Sequence, residues 1–153
     1  MSGAVSAVYE FPVGRLYLES RNGALTRIER TDAPCADTGD GLVLRAKAQL
    51  DEYFAGKRKD FDLPLAAEGT VFQTKVWAAL QTIPYGETRT YGELAAMIGQ
   101  PKASRAVGGA NHRNPLAIVI PCHRVIGADG GLTGYGGGLP MKEYLIKLEQ
   151  KFC

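Results

Sequence analysis

The 153-residue chain is predicted to be an α/β protein. Its first lobe, residues 1–66, is a small antiparallel β-sheet with a helix; its second, residues 67–153, is mainly helical and contains a helix-turn-helix. Three observations predict this. Two-residue alternation of apolar and polar positions surrounds an Asn22-Gly23 turn near the start. From Thr70 onward apolar residues recur at three- and four-residue spacing behind threonine caps. The short stretch AAEG, residues 66–69, divides the two patterns.

In chain order, AVYEF is a first strand closed by the turn cluster PVG. RLYLES places Leu16 and Leu18 on one face and Arg15, Tyr17 and Glu19 on the other. Asn22-Gly23 is the preferred pair for a type I′ hairpin, whose two central residues both need positive φ, and ALTRIER returns as the third strand. Residues 31–41 are turn-rich. LVLRAKAQLDEYFAG carries Val43, Ala46, Leu50, Tyr53 and Phe54 at helical spacing with Gly56 as its stop. KRKDFDLPL is read as a charged turn with a short edge strand. In TVFQTKVWAALQTI, Thr70 and Gln73 form a capping-box pattern, Val71, Phe72, Val76, Trp77 and Leu80 make an apolar stripe, and Pro84 and Gly86 follow. TYGELAAMIG repeats the device with Thr90, Glu93 and Gly99. Pro101 is expected at the first position of the next helix. The two helices around Gly99 form the helix-turn-helix candidate; in the second, Ala103, Ala106, Val107 and Ala110 are expected to face inward, away from Arg105, Gly108, Gly109 and His112. LAIVI, residues 116–120, reads as a buried strand stopped by Pro121. GADGGLTGYGGGLP reads as a glycine-rich loop lining a pocket, with Tyr135 as its aromatic wall, and MKEYLIKLEQKF as a closing helix.

Composition is ordinary for a globular domain, with 45% hydrophobic and 22% charged residues. No stretch approaches the ~20 apolar residues of a membrane span. MSGAVSAVYEF lacks the basic start and apolar run of a secretory signal, so a cytoplasmic setting is expected, nucleoid-associated in a bacterium. Three widely spaced cysteines without a C-x-x-C pair argue against a disulfide framework or a closed zinc site. Net charge is +2, but residues 70–153 carry nine Lys/Arg against five Asp/Glu, while residues 1–69 carry nine against eleven. A basic second lobe suits a polyanion.

The chemistry concentrates at PCHR. Cys122 follows a strand-like run, where reactive groups often emerge. A thiol needs a base or a positive neighbour to become a nucleophile. His123 supplies the first, Arg124 the second. Neighbouring side chains in extended backbone point apart, so a Cys122–His123 contact needs a tight turn or a bridging water. A structural cysteine beside an incidental histidine is the competing reading. Two further rivals stay open: a helix-turn-helix regulator without chemistry, and a cysteine hydrolase.

NP at 114–115 with PCHRVIG, RAVGGAN at 105–111, IPYGETRTYGELA at 83–95 and GTVFQTKVW at 69–77 resemble the O6-alkylguanine-DNA alkyltransferases, also called methylated-DNA–protein-cysteine methyltransferases. The resemblance covers residues 69–150 with every block in order; the first lobe resembles the family only in its order of strands and helix. It implies single-use transfer of an alkyl group from O6-alkylguanine flipped out of double-stranded DNA, and leaves O4-alkylthymine open as a second substrate. Cys122 would be the acceptor, His123 the base acting through a water, Glu143 the carboxylate orienting that histidine, Asn114 the brace of the turn, and Tyr91 a proton source near a target phosphate. Arg105 would enter the DNA stack from the minor groove, with Lys102, Ser104, Ala106, Gly108, Gly109 and Tyr91 contacting DNA. Val125, Tyr135, Gly136, Gly137 and Asn111 would line the pocket. Some relatives hold zinc in the first lobe; one cysteine and no histidine there lead us to expect no metal. No cofactor is expected, and a monomer is.

Overall fold

Three antiparallel strands open the fold in simple meander order: β1 (Ala4–Phe11), β2 (Gly14–Arg21) and β3 (Ala24–Arg30). They belong to a computed structural model that describes residues 4–37, 41–131 and 138–153. The alternation in β2 is realised: Leu16, Leu18 and Ser20 are buried while Arg15, Tyr17 and Glu19 are partly exposed. Asn22 and Gly23 have φ of 54° and 79°, the positive pair a type I′ turn requires. The sheet packs on α1 (Gly41–Phe54), whose Val43, Ala46, Leu50 and Tyr53 are fully buried. Gly56 ends α1 at φ 75°, with its N–H donating to the Tyr53 carbonyl and the Lys57 N–H to Glu52, the two bonds of a Schellman stop. Residues 57–65 form no strand; a single bridge joins Leu65 to Leu25.

The second lobe contains α2 (Val71–Leu80), β4 (Arg89–Thr90), α3 (Tyr91–Met97), α4 (Ser104–His112), β5 (Val125–Ile126) and α5 (Leu139–Phe152). Both capping boxes form: Thr70 with Gln73, and Thr90 with Glu93, each side chain bonding the other's backbone N–H. Val76, Trp77 and Leu80 are buried, but Val71 is 83% exposed. As the first helical residue it precedes the stripe rather than joining it. The Trp77 indole N–H donates to the Ala110 carbonyl at 2.9 Å, fastening α2 to the last turn of α4.

Gly99 (φ 77°) ends α3 with the same Schellman bonds: its N–H to Ala96, and Gln100's to Ala95. The turn continues with Ala103 N–H bonded to Gln100, which puts Pro101 at the second position of a β-turn rather than at the start of α4. In α4, Val107 and Ala110 are buried as expected, whereas Ala106 is exposed beside Arg105. β4 and β5 pair in parallel, Arg89 with Val125 and Thr90 with Ile126. That short ladder ties the root of α3 to the segment carrying Cys122. Among the described residues no helix is long and apolar enough to cross a membrane.

Candidate active site

LAIVI is not a strand. Leu116 makes one parallel bridge to Ile28 of β3, and the chain then coils. Val119 N–H donates to Ala117 at 2.8 Å across Ile118, whose φ is 73°. This is the strained, positive-φ γ-turn, at a β-branched residue that ordinarily avoids that region. A second three-residue turn follows across Pro121 (φ −80°, ψ 65°), with Cys122 N–H on the Ile120 carbonyl at 2.8 Å. Cys122–Arg124 then makes one 3₁₀ turn. Such strain costs roughly 1–3 kcal/mol and persists only where surroundings hold it. Asn114 does so: its amide donates to Ile120 O at 2.7 Å, and its carbonyl oxygen accepts from Leu116 N–H at 2.9 Å. Asn111, expected at the pocket rim, is instead buried beneath the turn, its amide on the Cys122 carbonyl at 3.3 Å.

The carboxylate that meets His123 is Glu149, not Glu143. On α5 the buried stripe is Met141, Lys142, Leu145, Leu148 and Glu149. Glu143 lies off it, half exposed and paired with Lys147 at 2.6 Å. Glu149 Oε2 is 2.6 Å from His123 Nε2 and accepts from the Tyr53 hydroxyl at 2.6 Å and Arg124 Nη2 at 3.1 Å. Its Oε1 accepts from Arg124 Nε at 2.8 Å and Gly86 N–H at 3.2 Å. Burial alone would raise its pKa; hydrogen bonds from His123 and Arg124, with the guanidinium charge, overcome that and hold the carboxyl far below the ordinary range. Burial lowers the pKa of His123 against the opposing pull of Glu149, so the imidazole is neutral. An ionised carboxylate only accepts, so Nε2 carries the proton. The bare nitrogen is Nδ1, which is buried with no hydrogen-bond partner among the described residues.

Cys122 is 5% exposed and lines a cleft of about 330 Å³ together with residues 27–30, Glu68, His112, Arg113, Asn114, Pro115, Ala117 and Met141. One wall is the edge of β3 and the other the end of α4. Lys142 is fully buried, and burial lowers its pKa against the opposing pull of Cys122; its Nζ is 5.8 Å from the Tyr91 ring centre. Tyr91, at the start of α3, is half-buried. Arg105, Lys102, Ala106 and Gly109 are exposed, and Ser104 and Gly108 partly so. Val125 is fully buried in β5 and is not among the cleft residues. Tyr135, Gly136 and Gly137 lie outside the described residues. Among the described residues no group of three or more His, Cys, Asp or Glu is gathered as a metal site. Sequence reasoning missed Glu149, Lys142 and Tyr53. The available signal was two charged residues, Lys142 and Glu149, on the apolar stripe of α5.

Two family models match the chain: 6-O-methylguanine DNA methyltransferase, ribonuclease-like domain, over residues 4–67, and 6-O-methylguanine DNA methyltransferase, DNA binding domain, over residues 71–151. The methylated-DNA–protein-cysteine methyltransferase of Methanosarcina acetivorans is 53% identical over 150 residues, 94% of this chain and 96% of the relative. The crystal structure of Mycobacterium tuberculosis O6-methylguanine methyltransferase superposes with a TM-score of 0.89 at 45% identity, covering 99% of this chain and 95% of that one. That of M. tuberculosis OGT in complex with DNA gives 0.87 at 48%, covering 95% and 92%.

Proposed function

Because the chain belongs to the 6-O-methylguanine DNA methyltransferase family, we propose that it repairs DNA by moving an alkyl group from the O6 of guanine to Cys122, once per molecule and without a cofactor. The observation that carries this reading is a buried Cys122 in the lining of a cleft, adjacent to a histidine whose Nε2 is locked to a buried, ionised carboxylate.

A base inside the duplex is out of reach of a sulfur in a cleft, so the damaged nucleotide is extruded, at a cost of a few kcal/mol that is lower for a badly paired lesion. Arg105, exposed on α4 among small residues, enters the stack from the minor groove. Lys102, Ser104, Ala106, Gly108, Gly109 and Tyr91 meet the DNA alongside it. The thiol proton passes through a water to His123 Nδ1, the one basic nitrogen of the relay. The resulting imidazolium rests against Glu149, and Lys142 stabilises the thiolate. Sulfur attacks the alkyl carbon, the C–O6 bond breaks, and its electron pair goes to the guanine. The guanine regains a proton with Tyr91 beside it, leaving S-alkylcysteine and intact guanine. A thioether offers no route to hydrolysis, so no turnover follows. Residues 67–153 carry the chemistry on the first lobe's support, and the molecule works as a monomer in the cytoplasm.

The test is stoichiometry. With excess duplex holding one O6-methylguanine, repair should stop at one guanine per protein molecule, and Cys122→Ala should repair none while still binding the lesion. Continued turnover would indicate a hydrolase; sequence-selective binding with no repair would indicate a regulator.

A further inference from the structure

We propose that Tyr53, on the first lobe, is a positioning residue of the alkyl-transfer relay, setting the basicity of His123 by hydrogen-bonding the same carboxylate oxygen. The inference rests on the alkyl-transfer reading above.

The Tyr53 hydroxyl reaches Glu149 Oε2 at 2.6 Å from a residue 96 positions earlier in the chain, and His123 Nε2 reaches that same atom at 2.6 Å. Tyr53 has no freedom to swing away. It is fully buried, near the Schellman stop at Gly56, and boxed by Phe54, Phe61 and Tyr85 with ring centres 5.4, 5.5 and 6.2 Å away. Its hydroxyl is therefore a fixed donor. Hydrogen bonds to a carboxylate oxygen withdraw electron density from it, so Tyr53 and His123 compete for one acceptor. With Tyr53 donating, Glu149 pulls less strongly on the Nε2 proton and stabilises imidazolium less. The first lobe thereby tunes chemistry performed by the second.

The charged and titratable groups facing the pair are Arg124 from the Cys122 turn, Lys142 from α5, Tyr53 from α1 and Tyr85 from the loop after α2. Among these, Tyr53 and Arg124 bond the carboxylate itself.

The experiment is a pH profile of single-turnover methyl transfer by full-length Tyr53→Phe and wild type. The acidic midpoint should rise by about one pH unit, so transfer on the acid limb falls about tenfold while the alkaline plateau is nearly kept. ¹⁵N NMR of His123 in the Cys122→Ser background should show the same upward shift without any transfer. Fluorotyrosine at position 53 alone, a stronger donor, should shift the midpoint downward, and serves also if Tyr53→Phe fails to fold. A uniform loss with an unmoved midpoint and unmoved His123 titration would mark Tyr53 as packing only and overturn the proposal. If wild type transfers nothing, the alkyl-transfer reading falls, and the NMR titration still decides the Tyr53–His123 coupling.

Discussion

Replacing Glu149 by Gln changes one atom and should be among the most damaging substitutions in the chain. The carboxylate accepts five hydrogen bonds from four residues, with Arg124 Nε and Gly86 N–H on Oε1, and His123, Tyr53 and Arg124 Nη2 on Oε2. However the amide turns, one acceptor position becomes an N–H group facing at least two donors. The buried Arg124 guanidinium also loses its counter-charge. Removing one partner of a buried ion pair costs about 3–5 kcal/mol, a large share of the roughly 5–15 kcal/mol that holds a domain together. His123 loses the anion that stabilises its protonated form, so transfer should fall by a factor on the order of 10² or more. Glu143→Gln is the control: its exposed pair with Lys147 is worth about 0.3–0.5 kcal/mol. Urea unfolding and single-turnover methyl transfer measure both. If Glu149→Gln unfolds and transfers like wild type, or Glu143→Gln is the more impaired, the relay has been misassigned.

Arg105→Ala should slow repair of methylated duplex strongly while leaving attack on free benzylguanine near normal, since the free base needs no extrusion; equal losses in the two assays would remove Arg105 from that role. Stability should also fall with acid. Below its ordinary pKa of 6.5, His123 binds a proton in the unfolded chain but not in its buried, pKa-lowered folded state. Glu149 acts in the same direction, because below 4.5 only the unfolded chain takes up its proton. The unfolded state thus binds more protons, and unfolding free energy must drop as pH falls from about 7 toward 5. Denaturant midpoints at several pH values check this, and His123→Asn should flatten the upper part of the curve.

Features set by local chain chemistry were legible in the sequence. Asn22-Gly23, the two threonine capping boxes and the glycine stops at 56 and 99 each depend on neighbours within a few residues, and each forms as read. Cys122 and His123 stood out because the pair is adjacent in sequence. What depended on distant partners was not legible. The apolar spacing of Met141, Leu145 and Leu148 puts Glu149 on the buried stripe of α5 and Glu143 off it, but that Glu149 meets His123 depends on how α5 docks against the Cys122 turn. Tyr53 reads as one more apolar position of α1 until the fold brings it to Glu149. Ile118 misled for the opposite reason: its β-branched run favours a strand, and side-chain bonds from Asn114 to Leu116 and Ile120, two and six residues on, hold a positive-φ turn instead.

The most direct measurement is peptide mass mapping after incubation with duplex carrying an isotopically labelled O6-methyl group. One labelled methyl is expected on the peptide containing Cys122, none on those containing Cys35 or Cys153, and unmodified guanine in the DNA. Label on another residue, or released to solvent with Cys122 unmodified, would contradict transfer to Cys122.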